Sequence, residues 1–554
     1  MLVSNLYKQN IYATERTLQA KVSFEILDVT AYDDVVVTAS TESGISRLEQ
    51  VTNKNREMSQ KYGTFEDNYW LLDGTFVLPP HENEGDSELG WWSGNLSGAD
   101  KIYVTRPVLT FTFTEPHSSI GLTVTFDKKT NEYATSFRIE AYDETGGLII
   151  SELISGNTSP VYYFNRPLDN YTRIVITVIS WAKAYRRARI TEVDFGSVQE
   201  YTGEKLINLK VVEEMDLLAS TVPSNQMTFE LDNSDQYFNI LNPNGVYRFI
   251  VPNQEMRAEL GLLIGEQKYE WIPMGKYYLN EWKVEEGAMT STFTGHDLFT
   301  QLDLIDIQPA TVTNLYTLAQ NVFSQAGVEV DGYILDDSLK NYATTGFKDP
   351  VKARQALQLI AIAGKCVVRQ DRYGKILFEH YEELTYETGY INWVGTASGT
   401  VAATGEFASL TTYPQVYVDY TFQQISFENA YEIPSITLGS RVKQLNITVN
   451  PTNGLEAYEI QYMNSLVNDG IGYAINNPLI HTEAQAAEVA KWMFEYYNFV
   501  ASYQANWRQN PALECGNIIL IEDRFGNKKK ARITKQEFDF EGYLLGQTEA
   551  KGGV

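Results

Sequence analysis

Apolar and polar residues alternate along most of this chain, in short runs that turn residues interrupt. Residues 21–26, 35–39, 109–113 and 122–126 have the two-residue period or the β-branched composition that is typical of strands. Gly, Asn, Asp and Pro lie between such runs, as expected where tight turns connect strands. The pattern predicts that strands form most of the fold.

Two central segments have helical periodicity instead. Apolar side chains recur every three or four positions in residues 311–326, and Gly327 follows as a stop signal. Residues 350–363 have Asp349 as a candidate N-cap and Pro350 at the first helical position, where a missing N–H costs nothing. We expect one helix in each segment.

A third helix is predicted over residues 483–500. Thr482 and Gln485 have the spacing of a capping box, and the apolar residues that follow share one helical face. The fold class expected from these patterns is mainly β with a few helices.

The rhythm of the strands changes near residues 60 and 200. Residues 60–203 contain regularly spaced short strands, and about 140 residues are enough for one β-sandwich. The flanking segments 1–59 and 204–307 are interpreted as two parts of one strand-rich domain that carries the sandwich as an insertion. An α/β domain is expected over 308–390, and a second strand-rich domain over 391–554.

The charge balance excludes one class of function. The 554 residues include 71 acidic and 44 basic side chains, which gives a formal net charge of −27. Proteins that wrap duplex nucleic acid need cations to release counterions from the phosphates, so tight binding by the whole chain is excluded. Transient passage of nucleic acid past an acidic wall is compatible with this charge, because repulsion prevents adhesion.

The cysteines and the apolar runs limit the cellular context. Cys366 and Cys515 are the two cysteines, and neither belongs to a CxxC pair, so neither a disulfide framework nor a zinc site is expected. The first residues contain no continuous apolar stretch, and runs such as 357–363 are far too short to span a bilayer. We expect no secretory signal, no membrane span and folding in a reducing cytosol.

None of the familiar catalytic signatures is complete. Residues 81–84 lack the second histidine of a zinc-protease motif, and residues 94–98 have the wrong spacing for a nucleophile elbow. Residues 232–235 resemble the start of a calcium loop but lack its glycine and closing glutamate, so an Asx turn between strands is the simpler interpretation. We expect no enzymatic activity, no metal and no cofactor.

Two clusters are candidate binding sites within the expected sandwich. Trp70, Trp91 and Trp92 lie in turn-rich sequence, where exposed indoles could stack on the apolar faces of sugars. Alternatively, they close the open end of the sandwich. The second cluster is a basic island over residues 181–189, which could pair with an acidic polymer, with the chain's own acidic surface, or with solvent or a subunit.

In residues 228–260, TFELDNSDQYFNILNPNGVYRFIVPNQEMRAEL, a strand ending in LDNSD turns through LNP into the next strand. This segment resembles bacteriophage tail hub and baseplate proteins, and the resemblance covers the chain outside residues 60–203. Further similar segments, in the same order as in the family, are 275–279, 292–297, 353–361, 371–376, 510–518, 523–526 and 533–542.

This resemblance implies a trimeric hub at the distal end of a tail tube, in the tail tip or baseplate of a virion synthesised in the host cytoplasm. The strand-rich domains would then be two tail-tube-like β-barrels, so that a trimer presents six similar modules to a six-fold tube. The implied partners are two further copies of the chain, the tail tube, and other distal-tail, baseplate or tip proteins. DNA or tape-measure protein would pass transiently, with Glu213, Glu214 and Asp216 as candidates for the acidic wall.

The inserted block resembles a discoidin-like or carbohydrate-binding jelly roll over residues 110–126 and 137–195, although no cysteine pair brackets it. The resemblance implies a peripheral domain that binds host cell-wall polysaccharide, or one that contacts neighbouring baseplate proteins. An alternative for the whole chain is an adhesion or receptor-binding protein that caps no tube. The candidate glycan-binding residues are Trp70, Trp91, Trp92, Tyr185, Arg186 and Arg187.

Overall fold

The structure is a computed structural model that describes all residues except 2, 68, 73, 80–86, 240, 243–244, 267, 285–288, 382–389, 393–416, 420–422, 427, 453 and 554. Strands dominate it, and six α-helices accompany them among the described residues. The prediction of a mainly β fold with a few helices is therefore confirmed.

The helices are α1 Asn5–Asn10, α2 Ala31–Asp34, α3 Leu298–Leu302, α4 Leu315–Gln325, α5 Ala353–Gly364 and α6 Glu483–Tyr497. The strands are β1 Leu18–Leu27, β2 Val36–Ala39, β3 Lys61–Tyr62, β4 Phe76–Val77, β5 Trp91–Leu96, β6 Val108–Ser119, β7 Leu122–Thr125, β8 Ala134–Tyr142, β9 Leu148–Ser155, β10 Val161–Phe164, β11 Leu168–Trp181, β12 Arg187–Ile190, β13 Glu192–Asp194, β14 Gly196–Thr202, β15 Leu206–Glu214, β16 Gln226–Asp232, β17 Glu255–Gly265, β18 Lys268–Lys283, β19 Thr290–His296, β20 Asp306–Ile307, β21 Tyr333–Ile334, β22 Val351–Lys352, β23 Val367–Gln370, β24 Ile376–Glu379, β25 Tyr390–Asn392, β26 Tyr417–Asp419, β27 Gln423–Ile425, β28 Ser435–Leu438, β29 Val442–Val449, β30 Tyr458–Met463, β31 Ile471–Asn476, β32 Ala501–Asn506, β33 Ile518–Glu522, β34 Lys528–Phe540 and β35 Leu544–Gly552.

One large sheet joins the two ends of the chain. Its strand order is β14-β1-β17-β18-β19-β16-β15-β34-β35-β32-β28, with β33 and β27 attached beside β34. The N-terminal and C-terminal strands meet where β15 pairs antiparallel with β34, from Leu209 opposite Phe540 to Glu214 opposite Lys535. The C-terminal strands are thus continuous with the first strand-rich part rather than separate from it.

The inserted sandwich begins earlier in the chain than the sequence indicated. Val36–Ala39, which was expected in the first strand-rich domain, pairs with β6 inside the sandwich. The expected boundary at residue 60 is therefore wrong, and so is the one at 203, because Gly196–Thr202 pairs with β1 of the large sheet. Alternating apolar and polar residues predict that a segment forms a strand. They do not predict which sheet the strand joins, because that depends on pairing with residues far away in sequence.

The sandwich has two facing sheets with a shared core. The larger sheet has the order β2-β6-β11-β8-β9, and the smaller one β10-β7-β13. Alternate side chains of β6 and β11 face inward, and the buried core includes Leu109, Phe111, Ile174, Ile176 and Phe195. This alternation is what the two-residue period of the sequence predicts for strands buried on one face.

Helices α4, α5 and α6 contribute their buried apolar side chains to a second core, which they share with the C-terminal strands. Asn314 caps α4 by accepting a hydrogen bond from the Thr317 N–H over 2.9 Å, so the helix predicted over 311–326 is present in shorter form. The helix predicted over 350–363 begins later, because Val351–Lys352 forms β22 beside β20. Asp349 and Pro350 therefore do not cap α5, and this part of the prediction is wrong.

The third predicted helix is present as α6, which ends at Tyr497. The Thr482 hydroxyl accepts a hydrogen bond from the Gln485 N–H over 3.2 Å, as predicted. The returning bond differs, since Gln485 accepts from the backbone of His481 rather than from that of Thr482. Among the described helices, none is long and apolar enough to cross a membrane.

Candidate functional site

The paired strands β5 and β12 bring most of the predicted glycan-binding residues to one end of the sandwich. Trp91 lies opposite Ile190 and Trp92 opposite Arg189 in this antiparallel pair. Arg186 and Arg187 come directly before Arg189, so the tryptophan cluster and the basic island belong to one site.

The two adjacent tryptophans are completely buried. Both Trp91 and Trp92 have an exposed fraction of 0%. The indole N–H of Trp91 donates to the Thr41 carbonyl over 3.1 Å, and that of Trp92 donates to the Leu89 carbonyl over 3.0 Å. The prediction that they stack on sugar is wrong for both. They fill the end of the sandwich, which was the alternative.

Arg189 is the centre of a buried ionic cluster. Its guanidinium carbon lies 4.1 Å from the centre of the Tyr69 ring and 4.4 Å from that of the Trp92 ring. Its nitrogens lie 2.6 Å from a carboxylate oxygen of Glu66, 3.2 Å from Asp127 and 3.1 Å from Glu132. Two aromatic faces and three carboxylates thus surround the Arg189 charge, although its buried Nε has no hydrogen-bond partner among the described residues.

The other two arginines of the island also point inward. Arg186 is buried, and its Nε donates to Glu132 over 3.2 Å. The Arg187 guanidinium donates to the carbonyls of Ser93 and Gly94 over 2.8 and 2.6 Å. For these side chains, the interpretation as a solvated patch is wrong, because they donate hydrogen bonds to the chain's own carboxylates and carbonyls.

The carboxylates of this cluster were missed by sequence reasoning. Burial favours the neutral form of Glu132, yet Arg189, a hydrogen bond from Trp181 and the charge of Lys183 hold the pKa of Glu132 below its ordinary value. The three acids Glu66, Asp127 and Glu132 thus form ion pairs with three cations. These are Lys183, Arg186 and Arg189. Asp127 and Glu132 face each other across one turn, but Glu66 lies about sixty positions earlier, and the three acids share no motif that could have identified the cluster.

The solvent-facing side of this end consists of loops. Trp70 is partly exposed and lies against Gly63, where an added Cβ would come within 2.8 Å of the indole ring. Tyr185 is exposed and has a φ of 57°, in the left-handed region. Of the six predicted residues, these two keep the aromatic surface that contact with a ligand requires.

The predicted acidic wall residues differ from one another in exposure. Glu213 is buried and forms an ion pair with Arg372, which also donates to the carbonyl of Leu513 over 2.6 Å. Glu213 therefore cannot line a channel, and that part of the prediction is wrong. Glu214 is exposed, and Asp216 is half-buried with its carboxylate accepting from the Leu218 N–H over 3.0 Å.

Other polar groups have structural surroundings. The turn at Asp232 is an Asx turn, with the carboxylate accepting from the Ser234 N–H over 3.2 Å, as predicted. Within the described residues, no group of three or more His, Cys, Asp or Glu side chains is placed to hold a metal ion. The segment 81–84 lies outside the described residues.

A concave region lies where the chain enters the sandwich after β1. His117 has both ring nitrogens 2.9 Å from carboxylate oxygens, one of Asp28 and one of Asp34. The ring thus lies between the two acids, with one carboxylate at each nitrogen. This arrangement ties the segment after β1 to strand β6.

No protein-family model and no curated protein matches the chain. Among solved structures, the chain is similar to the 43 kDa tail protein of prophage MuSo2 from Shewanella oneidensis, with 12% identity over 64% of this chain and 94% of that one, at a TM-score of 0.38. It is similar to the tail protein from Neisseria meningitidis MC58, with 9% identity over 64% and 93% and a TM-score of 0.39.

The family 32 carbohydrate-binding module of C. perfringens NanJ, solved in complex with galactose, is 14% identical over 32% of this chain and 99% of that one, at a TM-score of 0.20. At these identities and TM-scores, the three likenesses carry no argument about what this chain does.

Proposed function

We propose that the chain is a structural subunit of a phage-type tail, which forms a hub at the distal end of the tail tube. The observation that carries the proposal is the continuous sheet, in which β15 of the first strand-rich part pairs with β34 of the C-terminal part. Two strand modules side by side in one chain are what the resemblance to tail hubs implies. The order of the hub-like segments along the sequence supports the same interpretation.

A buried arginine joins the two strand modules, which supports a structural role. Arg372, in the turn after β23, contacts Glu213 on β15 and the carbonyl of Leu513 in the C-terminal part. A buried arginine with partners on two other segments holds the three segments in one arrangement. In a hub, this would transmit force between tube and tip without relative motion of the modules.

The proposed assembly is a homotrimer with six similar modules around a channel. Its partners would be the tail tube and other baseplate or tip proteins, and DNA or tape-measure protein would pass through. A net charge of −27 per chain would prevent nucleic acid from adhering to the wall. Glu214 is the exposed acidic residue that we assign to the wall, in place of Glu213.

The inserted sandwich would be a peripheral appendage of the hub. Its two connections lie together at Leu27 and Gly196, which are opposite each other in β1 and β14, so its loop end can point away from the ring. Binding of cell-wall polysaccharide there would depend on Trp70 and Tyr185, since the other predicted residues face inward. An adhesion protein without a role at the tube is the competing function.

Electron microscopy of the purified chain, with mass from light scattering over a concentration series, tests the hub. We expect three-fold rings with a central channel, and sandwiches that project from the outer rim. The same preparation is then mixed with tail tubes, whose ends should become capped. A chain that stays monomeric alone and also leaves the tubes uncapped would refute the hub and favour the adhesion protein.

A further inference from the structure

The hairpin formed by β33 and the start of β34 carries an excess of positive charge in an acidic chain. Residues 518–532 contain five basic and two acidic side chains, whereas the whole chain has a net charge of −27. The two strands pair antiparallel as far as Glu522 opposite Lys528, so the turn at 523–527 lies beyond the last pair. Arg524 and Lys528 are exposed there. We call residues 518–532 the basic hairpin.

The chain's own acids do not neutralise this hairpin. Lys528 donates from Nζ to the uncharged side-chain amide of Gln424 over 2.8 Å. Asp523, at the start of the turn, uses its carboxylate to accept from the backbone N–H groups of Phe525 and Asn527 over 2.8 and 2.9 Å. Among the described residues, no carboxylate forms an ion pair with four cations of the hairpin and the neighbouring strand β35, which are Arg524, Lys528, Lys529 and Lys551.

The basic hairpin continues a strand that also reaches the proposed channel wall. Further along β34, Lys535 lies opposite Glu214 of β15, and Glu214 is the acidic residue that we assign to the wall. Lys528 begins the same strand, seven positions before Lys535, which corresponds to about 24 Å of extended chain. The hairpin therefore lies toward one end of that wall. This placement rests on the proposed hub, but the charge of the hairpin does not.

Unpaired, solvated cations suit a polyanion better than a protein surface. Lysine is depleted at protein interfaces, where its charge would lose water. Contacts with phosphate oxygens stay wet and are favoured by the counterions that they release. At the tip of the hairpin, Phe525 is 80% exposed, and the guanidinium carbon of Arg524 lies 5.5 Å from its ring centre. Cations beside an exposed aromatic ring are also what proteins use to contact single-stranded nucleic acid.

We propose that the basic hairpin contacts the phosphate backbone of nucleic acid at one end of the channel. The acidic surface around it repels the same backbone, so the contact is confined to the hairpin. With so few cations involved, binding is weak at physiological salt and the nucleic acid is guided rather than held. This goes beyond the hub role, because it gives the passing nucleic acid a defined point of engagement.

Fluorescence anisotropy of a labelled DNA duplex, titrated with the full chain between about 20 and 200 mM salt, tests the proposal. The logarithm of the association constant should fall with the logarithm of salt concentration, with a slope of roughly −3 to −4 for four phosphate contacts. The variant Lys528→Gln/Lys529→Gln should make this slope shallower by about 2. At about 50 mM salt, its binding should be weaker on the order of a hundredfold.

The matched control is Lys268→Gln/Lys348→Gln, which removes two exposed positive charges outside the hairpin. We expect this control to bind DNA with the slope of the intact chain. No DNA binding by the intact chain at low salt, or an equal loss in both variants, would overturn the proposal. So would a hairpin variant that keeps DNA binding but no longer forms rings or caps tubes, since the hairpin would then contact protein.

Ring formation by the intact chain is scored on the same preparation by electron microscopy. Rings without DNA binding would refute the hairpin contact and leave the hub standing. DNA binding that the hairpin variant loses, in a chain that forms no rings and caps no tubes, would refute the hub and leave the hairpin contact standing.

Discussion

Leu27 and Gly196 lie directly opposite each other in the antiparallel pair of β1 and β14, so the sandwich leaves the large sheet and rejoins it at one point. Residues opposite each other in such a pair are about 5 Å apart at their Cα atoms. A two-residue turn can close this distance. The sandwich is thus attached as an insertion whose removal need not disturb the sheet.

We predict that the chain folds without residues 28–195 when an Asn-Gly turn joins Leu27 to Gly196. Arg56 leaves with the sandwich, and it is the ion-pair partner of the buried Glu25 at 2.5 Å, so the variant also carries Glu25→Gln. Circular dichroism and light scattering should show cooperative unfolding and the oligomeric state of the intact chain. A deletion of 60–203 is the control, and it should aggregate, because it leaves β2 without β6 and removes β14 from β1.

Arg189→Met should destabilise the sandwich strongly. The substitution leaves Glu66, Asp127 and Glu132 buried near one another with less compensating charge. Removing one partner of a buried ion pair costs about 3–5 kcal/mol. Differential scanning calorimetry of the full chain should show a lower transition temperature for the sandwich.

The control for this variant is Arg166→Met, since Arg166 is 61% exposed and pairs with Glu152 over 3.0 Å. Surface pairs of this kind contribute about 0–1 kcal/mol. Equal shifts for the two variants would contradict the structural role that we assign to the Arg189 cluster.

Periodicity predicted the elements better than the connections between them. The cap of α6 at Thr482 could be read from four neighbouring residues, since helix caps are local. By contrast, nothing near Val36–Ala39 shows that it pairs with β6, more than seventy positions away. The burial of Trp92 depends in the same way on Tyr69 and Arg189, which reach it from other segments. The aromatic residues in turn-rich sequence therefore predicted correctly where the cluster lies, but they predicted wrongly that Trp91 and Trp92 are exposed.

Arg372→Met should weaken the junction of the modules, because Glu213 would remain buried without its cation. We expect a loss of about 3–5 kcal/mol in the free energy of unfolding, measured by denaturant titration. The double variant Glu213→Leu/Arg372→Met should recover most of this loss, since it removes both charges. The single variant Glu213→Leu completes the comparison. If the free-energy loss of the double variant equals the sum of the losses of Arg372→Met and Glu213→Leu, the two residues are not coupled as their contacts indicate.

Glu192→Gln should stabilise the protein in a pH-dependent way. Burial, together with the negative charge of Asp194, raises the pKa of Glu192 well above its ordinary value of 4.5, although Arg56 opposes this. The folded state therefore keeps a proton that the unfolded state releases, so the natural chain loses stability as pH rises above 4.5. Gln needs no proton, so we expect Glu192→Gln to stabilise the protein by an amount that grows as pH rises from 4.5 toward neutrality.

Thermal unfolding between about pH 4 and pH 8 measures this effect. The gain from Glu192→Gln should vanish at the acid end, where the carboxyl group is protonated in both states. Glu144→Gln, at an exposed turn, is the control and should give no trend with pH. A gain from Glu192→Gln that is the same at every pH would mean that the substitution acts through packing. The protonation of Glu192 would then have no part in the stability of the fold.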